Sequence, residues 1–108
     1  MENPELNRLL ETLQSSFLPE KAKGVHATVQ LHMNGASGGS YYLTIENQTL
    51  TSGRGEADDP VLTLTGRTED LLAIFAGQLD PMTAFFSGKL EVDGDTSLGL
   101  RLMSMFKR

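Results

Sequence analysis

Asp80-Pro81-Met82-Thr83-Ala84-Phe85-Phe86-Ser87-Gly88-Lys89-Leu90-Glu91-Val92-Asp93-Gly94-Asp95 reads as three short elements in succession. Asp80 suits a helix N-cap, because its carboxylate can accept from the first-turn N–H groups, and Pro81 fits the first helical position with its fixed φ. Phe85 and Phe86 are the apolar payload of this helix, and Gly88 stops it. Leu90 and Val92 then alternate with Glu91 and Asp93, the period-two pattern of a half-buried strand. Asp95 caps a second apolar helix, expected over Thr96 to Phe106.

Upstream the same rules give the rest of the frame. Leu6, Leu9, Leu10, Leu13 and Phe17 fall at helical spacing, with Asn3 as a plausible cap and Pro4 at the first position. A helix is expected from Pro4 to Phe17, ended by Pro19. Val25, Ala27, Val29, Leu31 and Met33 alternate with His26, Thr28, Gln30 and His32, which places the second set on the solvent side of a strand. A glycine-rich loop, Asn34 to Gly39, leads to a second strand over Tyr41 to Glu46, and the two read as an antiparallel hairpin. Gln48 to Arg54 is a weaker strand, and Gly55 to Pro60 a loop. Val61 to Thr65 alternates again. Thr68 is expected to cap a helix carrying Leu71, Leu72, Ile74 and Phe75 and ending at Gly77. The pattern predicts an α+β fold, with helices mostly on one face of a largely antiparallel sheet.

Composition narrows the function. The chain has 108 residues, a size expected to form one domain over residues 1–108. Such a chain buries roughly 65% of its unfolded surface, enough for a core without metals or disulfides. It has no cysteine, which removes thiol chemistry and Cys-ligated metals. A net charge of -5 argues against nucleic acid as a partner. Arg101, Lys107 and Arg108 are the only basic cluster. No apolar run approaches the roughly 20 residues of a membrane span. The first residues lack the basic and apolar regions of a signal peptide, so a cytoplasmic location is expected.

No constellation for catalysis emerges. His26 and His32 lie roughly 20 Å apart along one strand and cannot share a metal ion. Gly53-Arg54-Gly55-Glu56-Ala57-Asp58 lacks the third glycine and the following helix of a dinucleotide-binding turn. Glu91, Asp93 and Asp95 resemble a calcium loop only in part, since no glutamate closes the expected spacing. Glu56, Asp58 and Asp59 read as a solvated acidic turn. There is no GxSxG elbow. No metal and no cofactor are expected. The first helix is amphipathic, but its polar face carries Glu2, Glu5 and Glu11 against Arg8, so docking on the core is expected over docking on a membrane. The last helix is different. Leu98, Leu100, Leu102, Met103, Met105 and Phe106 spread over most of its circumference, broader than the single stripe of a surface helix. Such a helix packs on core, on a partner, or on a ligand.

The stretch from Gly77-Gln78-Leu79-Asp80-Pro81 to Gly94 resembles the sterol carrier protein 2 family. It carries an Asp-Pro, an Ala-aromatic pair, Gly-Lys with alternating apolar residues, and a glycine next to an acid. Thr63-Leu64-Thr65 followed by Thr68-Glu69-Asp70-Leu71 is similar too, and element order agrees from Leu6 to Phe106. The chain resembles a stand-alone, bacterial-type member. The resemblance implies a five-stranded sheet with helices over one face, enclosing a hydrophobic tunnel. It implies non-enzymatic binding or carriage of a fatty acyl chain, acyl-CoA, sterol or isoprenoid-like molecule. The tunnel would take Phe75, Leu79, Phe85 and Phe86 from the helices, Leu90 and Val92 as its floor, Leu31, Met33 and Leu43 as sheet neighbours, and Leu98, Leu102, Met103 and Phe106 as its closing wall. Membrane contact would be at most transient. Two other readings stand beside the carrier. The same apolar surface could dock a partner enzyme or form a homodimer, or the tunnel could be filled by its own methionines and phenylalanines.

Overall fold

The computed structural model describes residues 4–35 and 38–106. The expected Asn3 cap and two members of the basic cluster, Lys107 and Arg108, lie outside the described residues, as do the side chains of residues 4–6. The chain runs α1 (Pro4–Ser16), a 3₁₀ turn (Pro19–Ala22), β1 (Ala27–Asn34), β2 (Gly39–Glu46), β3 (Thr49–Arg54), β4 (Leu62–Arg67), α2 (Thr68–Phe75), α3 (Pro81–Phe86), β5 (Leu90–Gly94) and α4 (Thr96–Ser104). No helix among the described residues is long and apolar enough to cross a membrane.

The strands form one five-stranded sheet in the order β3-β2-β1-β4-β5. Three neighbouring pairs are antiparallel, and β1 with β4 is parallel. The expected α+β arrangement with a largely antiparallel sheet is therefore the observed one. The β2–β3 connection is a two-residue turn in which Asn47 and Gln48 both take positive φ, 53° and 60°. That backbone matches the right-handed twist of the flanking strands. Gln48 Nε2 also donates to the Pro19 carbonyl at 3.1 Å, which ties the turn to the segment after α1.

Alternation sorts the two faces of the sheet as the period-two rule requires. Val29, Leu31, Leu43, Ile45, Leu62 and Leu64 point to the helices and are at most 1% exposed. α1 packs against α2, and Leu9, Leu13, Leu71, Ile74 and Phe75 complete the core between helices and sheet. Gly66 allows the β4–β5 approach: a Cβ there would lie 2.7 Å from the Lys89 carbonyl oxygen, closer than packed atoms come.

The opposite face departs from the expectation at one residue. Gln30 is not at a solvent position but 1% exposed. The chain leaves β3 at one edge and crosses the outer face to reach β4, and Gln30 fastens this crossover. Its Nε2 donates to the carbonyls of Tyr41 (3.0 Å) and Gly55 (2.9 Å), and its Oε1 accepts from Ala57 N–H (2.7 Å). Burial of an amide is stable when its donors and acceptor are satisfied in this way. Beside it His32 Nε2 meets Glu56 at 3.1 Å.

Three helix ends also differ. Thr68 does not cap α2: Arg67 occupies the N-cap position without a side-chain capping hydrogen bond, and Thr68 is the buried first helical residue. α2 ends at Phe75 and the chain turns through Gly77 at φ 80°. α4 ends at Ser104, because Met105 and Phe106 leave the helix to meet Leu18 and Phe17, just past α1.

Candidate functional site

A surface groove of about 160 Å³ lies between α3 and α4, over the β4–β5 edge of the sheet. Local rules build it. Asp80 accepts from Thr83 N–H at 3.0 Å and opens α3 with Pro81 in the first turn. Lys89 N–H returns to the Ala84 carbonyl at 2.8 Å, with Gly88 at φ 81°, and this closure turns the chain from α3 into β5. Asp95 accepts from Leu98 N–H at 3.1 Å and opens α4. Each such cap stabilises its helix by about 1 kcal/mol. The two capped helices are thereby set on either side of β5.

Leu90 and Val92 of β5 and Leu64 of β4 form the floor, Pro81, Met82 and Phe85 one wall, and Thr96, Gly99, Leu100 and Met103 the other. The breadth of apolar residues on α4 now has a cause. Leu102 and Met105 are 1% and 0% exposed and face the core, with Leu98 packed against it. Positions 96, 99, 100 and 103 form a second stripe at i, i+3, i+4 and i+7 that faces the groove. Gly99 sits on the sheet side of α4, where a Cβ would meet Leu62 and Val92 at ordinary contact distances of 3.7–3.9 Å.

Thirteen positions expected at the tunnel separate into three groups. Phe85, Leu90, Val92 and Met103 are brought together around the groove. Leu31, Met33, Leu43, Phe75, Leu102 and Phe106 are buried in the continuous core, and Leu79 and Leu98 pack against its margin. Phe86 is 78% exposed. Phe85 and Phe86 were both expected as buried payload of α3, but in this single-sided helix Ala84 takes the buried position instead. Leu64, Pro81, Met82, Thr96, Gly99 and Leu100 also line the groove and were not among those thirteen positions. The i, i+4, i+7 spacing of Thr96, Leu100 and Met103 on α4 was the signal available for two of them. Gly99 was hidden because an apolar count ignores glycine.

No titratable side chain lines the groove, and Thr96 carries its one side-chain hydroxyl. The site can therefore exclude water and hold apolar surface, at about 25 cal/mol per Å² removed from water. The perturbed acid lies elsewhere, on the outer sheet face. A hydrogen bond from the Ser40 side chain, and then the His32 contact, hold the Glu56 carboxyl below its ordinary value. Among the described residues no group of three His, Cys, Asp or Glu side chains could hold a metal ion.

The fold recurs among known proteins. The model of the SCP-2 sterol transfer family matches residues 6–107. The stereoselective inverting sec-alkylsulfatase Pisa1 from Pseudomonas sp. is similar at 26% identity and a TM-score of 0.76; the match covers 89% of this chain but only 15% of that enzyme. Sterol Carrier Protein 2 Like 2 from Aedes aegypti is 25% identical with a TM-score of 0.73, over 95% of this chain and 97% of the other. The palmitated form of that Aedes aegypti protein gives 25% and 0.67, over 92% and 91%. No curated protein sequence matches significantly. Expected from Asp80 to Gly94 and matched along nearly its whole length, the chain belongs to the SCP-2 sterol transfer family.

Proposed function

We propose that this chain is a single, non-enzymatic lipid-binding domain of the cytoplasm that carries a fatty acyl chain, acyl-CoA, sterol or isoprenoid-like molecule. The observation that carries the reading is the groove: a half-open cleft between two capped helices whose side chains offer apolar contact and one hydroxyl. Family membership supports it, and so does the palmitated state of the Aedes aegypti relative. The volume defines what fits. An apolar cavity of about 150 Å³ takes a molecule the size of benzene, whereas sites for drug-sized ligands run from about 300 Å³. At about 160 Å³ the groove receives the end of a chain, and a longer cargo requires α4 to part from α3 and β5. Native mass spectrometry of protein purified without detergent, followed by organic extraction, tests the reading. A discrete added mass that extracts as a lipid is expected. A bare polypeptide mass that is unchanged by added fatty acids and acyl-CoAs rejects it.

A second reading has an observation of its own. In the Pseudomonas sp. sec-alkylsulfatase this fold is a small part of a larger chain. An accessory role, in which the same apolar surface docks a partner enzyme or a second copy, would leave the extract free of lipid and give stoichiometric co-purification or a dimer.

A further inference from the structure

The groove mouth is edged by apolar side chains in contact with solvent. Met82 and Phe85 of α3 are each 44% exposed, Phe86 is 78% and Leu100 of α4 is 61%. Three of these also line the groove, and the fourth, Phe86, stands edge-on to Phe85 with ring centroids 5.6 Å apart. The one other large exposed hydrophobic side chain among the described residues is Val61. Exposed apolar surface is thus concentrated where the groove opens.

We propose that this rim docks on a lipid bilayer: Phe86 and Leu100 enter the interface, so that the groove opens onto acyl chains instead of water. The inference rests on the lipid-carrier reading, because an apolar cargo that leaves a membrane through an apolar opening need not cross water. Three observations favour a bilayer as the occupant. The amphipathic first helix is not available for the purpose, since its inward residues Leu9 and Leu13 are 0% and 1% exposed in the core. The four rim side chains together expose on the order of 400 Å², within the range of a functional patch but about half of what each partner contributes to a stable protein complex. That area suits a contact made and broken repeatedly. The charge near the rim is mixed: Lys89 and Arg101 are exposed on one side of the balance, and the Asp80 and Asp95 carboxylates each accept from a helix N-terminal N–H on the other. With a chain net charge of -5, the preferred surface is zwitterionic, and anionic lipid should weaken binding.

The chain contains no tryptophan, so Phe86→Trp is a unique reporter, and Thr51→Trp on the exposed far edge strand is its control. With phosphatidylcholine vesicles, F86W should shift to the blue and be quenched by lipids brominated in the acyl chain, while T51W does neither. Equal responses from both reporters, or none from F86W, overturn the proposal. Phe86→Asp should lower vesicle partitioning about tenfold or more, the equivalent of returning one phenylalanine side chain to water. Undiminished partitioning of F86D overturns it, as does a dimer in light scattering that this substitution dissociates. The two readings fail separately. Fatty acid bound from solution by the wild-type protein with a silent F86W rejects docking alone, and docked vesicles without any fatty acid binding reject the carrier alone.

Discussion

Phe106 stands edge-on to Phe75, with ring centroids 5.1 Å apart and planes at 70°, and its other side meets Phe17 at 5.8 Å. A single side chain beyond the last helix therefore joins three parts of the chain: α2, the segment just past α1 and the exit of α4. The backbone repeats the connection, since Leu18 N–H donates to the Met105 carbonyl at 2.7 Å and Phe17 and Phe106 form an isolated bridge. The groove wall formed by α4 is held in place from this far end.

Phe106→Ala removes a side chain that is 3% exposed and leaves a cavity between two aromatic rings. A loss of about 3–5 kcal/mol is expected, measured by urea unfolding. Loosening of the α4 anchor should also accelerate amide exchange in α4 before it does so in the central strands. Uniform acceleration throughout would mean that Phe106 contributes to the core as a whole and not to α4 in particular.

Gly99 sits inside α4, where an added Cβ would meet only ordinary contact distances, 3.7 Å to Leu62 and 3.9 Å to Val92. Gly99→Ala should raise stability by about 0.5–1 kcal/mol, because glycine loses more backbone entropy in a helix. Gly99→Phe should fill the groove from its α4 wall. The expected outcome in native mass spectrometry is a bare mass for G99F under conditions where the wild-type protein carries lipid. A lipid-loaded G99F would place the cargo elsewhere in the molecule.

Gln30→Leu keeps the approximate size of the side chain but leaves the Tyr41 and Gly55 carbonyls and the Ala57 N–H without their partner. A buried polar group left unsatisfied costs about 1–3 kcal/mol. The loss should be read in thermal unfolding, accompanied by faster exchange of the Ala57 amide. Unchanged protection at Ala57 would show that the crossover is held by its other bonds, Gly55 N–H to Ser40 and Val61 N–H to Thr28.

Glu56 sets a pH dependence whose sign follows from its lowered value. Hydrogen bonding from Ser40, and then His32, favours its charged form in the folded protein, against an ordinary value of 4.5. The unfolded chain therefore takes up the proton first as pH falls. The stabilisation is fully present above the ordinary value and is lost as pH falls through the folded one. The stability difference between wild type and Glu56→Gln should be constant at neutral pH and shrink below about pH 4.5, as measured by denaturation at a series of pH values. A difference that persists in acid would assign the effect to the shape of the loop instead of its charge.

Local chemistry was legible wherever neighbours in sequence decide the outcome. Asp80 with Pro81, and Asp95, start their helices as read, because a cap bond spans only three residues. Alternation from Ala27 to Met33 and from Leu62 to Leu64 separates the faces of the sheet, because side chains alternate with period two whatever lies beyond the strand. The family resemblance around Asp80 to Gly94 extended these pieces to the whole chain. Two residues show where such reading stops. Gln30 obeys the alternation and so looked solvated, yet a loop distant in sequence covers it. Phe86 is apolar and so looked buried, yet Ala84 occupies the inner side of a helix only two turns long.

What the sequence by itself determined is the order of the elements, their caps, the inner face of the sheet and the excess of apolar residues on the last helix. Only the tertiary structure decided what that excess meets. The core side of α4 and its exit, with Leu102 and Met105, and the groove stripe, with Gly99, Leu100 and Met103, are the same in kind as hydrophobic patterns. They differ in whether another element comes to cover them. That depends on the placement of α3, the register of β5 and the Phe17–Phe106–Phe75 contact, which join residues far apart along the chain. Hydrophobic burial has no direction of its own. A sequence pattern can therefore say that a surface is apolar, while the packing of distant elements decides whether it becomes core or remains open as a site.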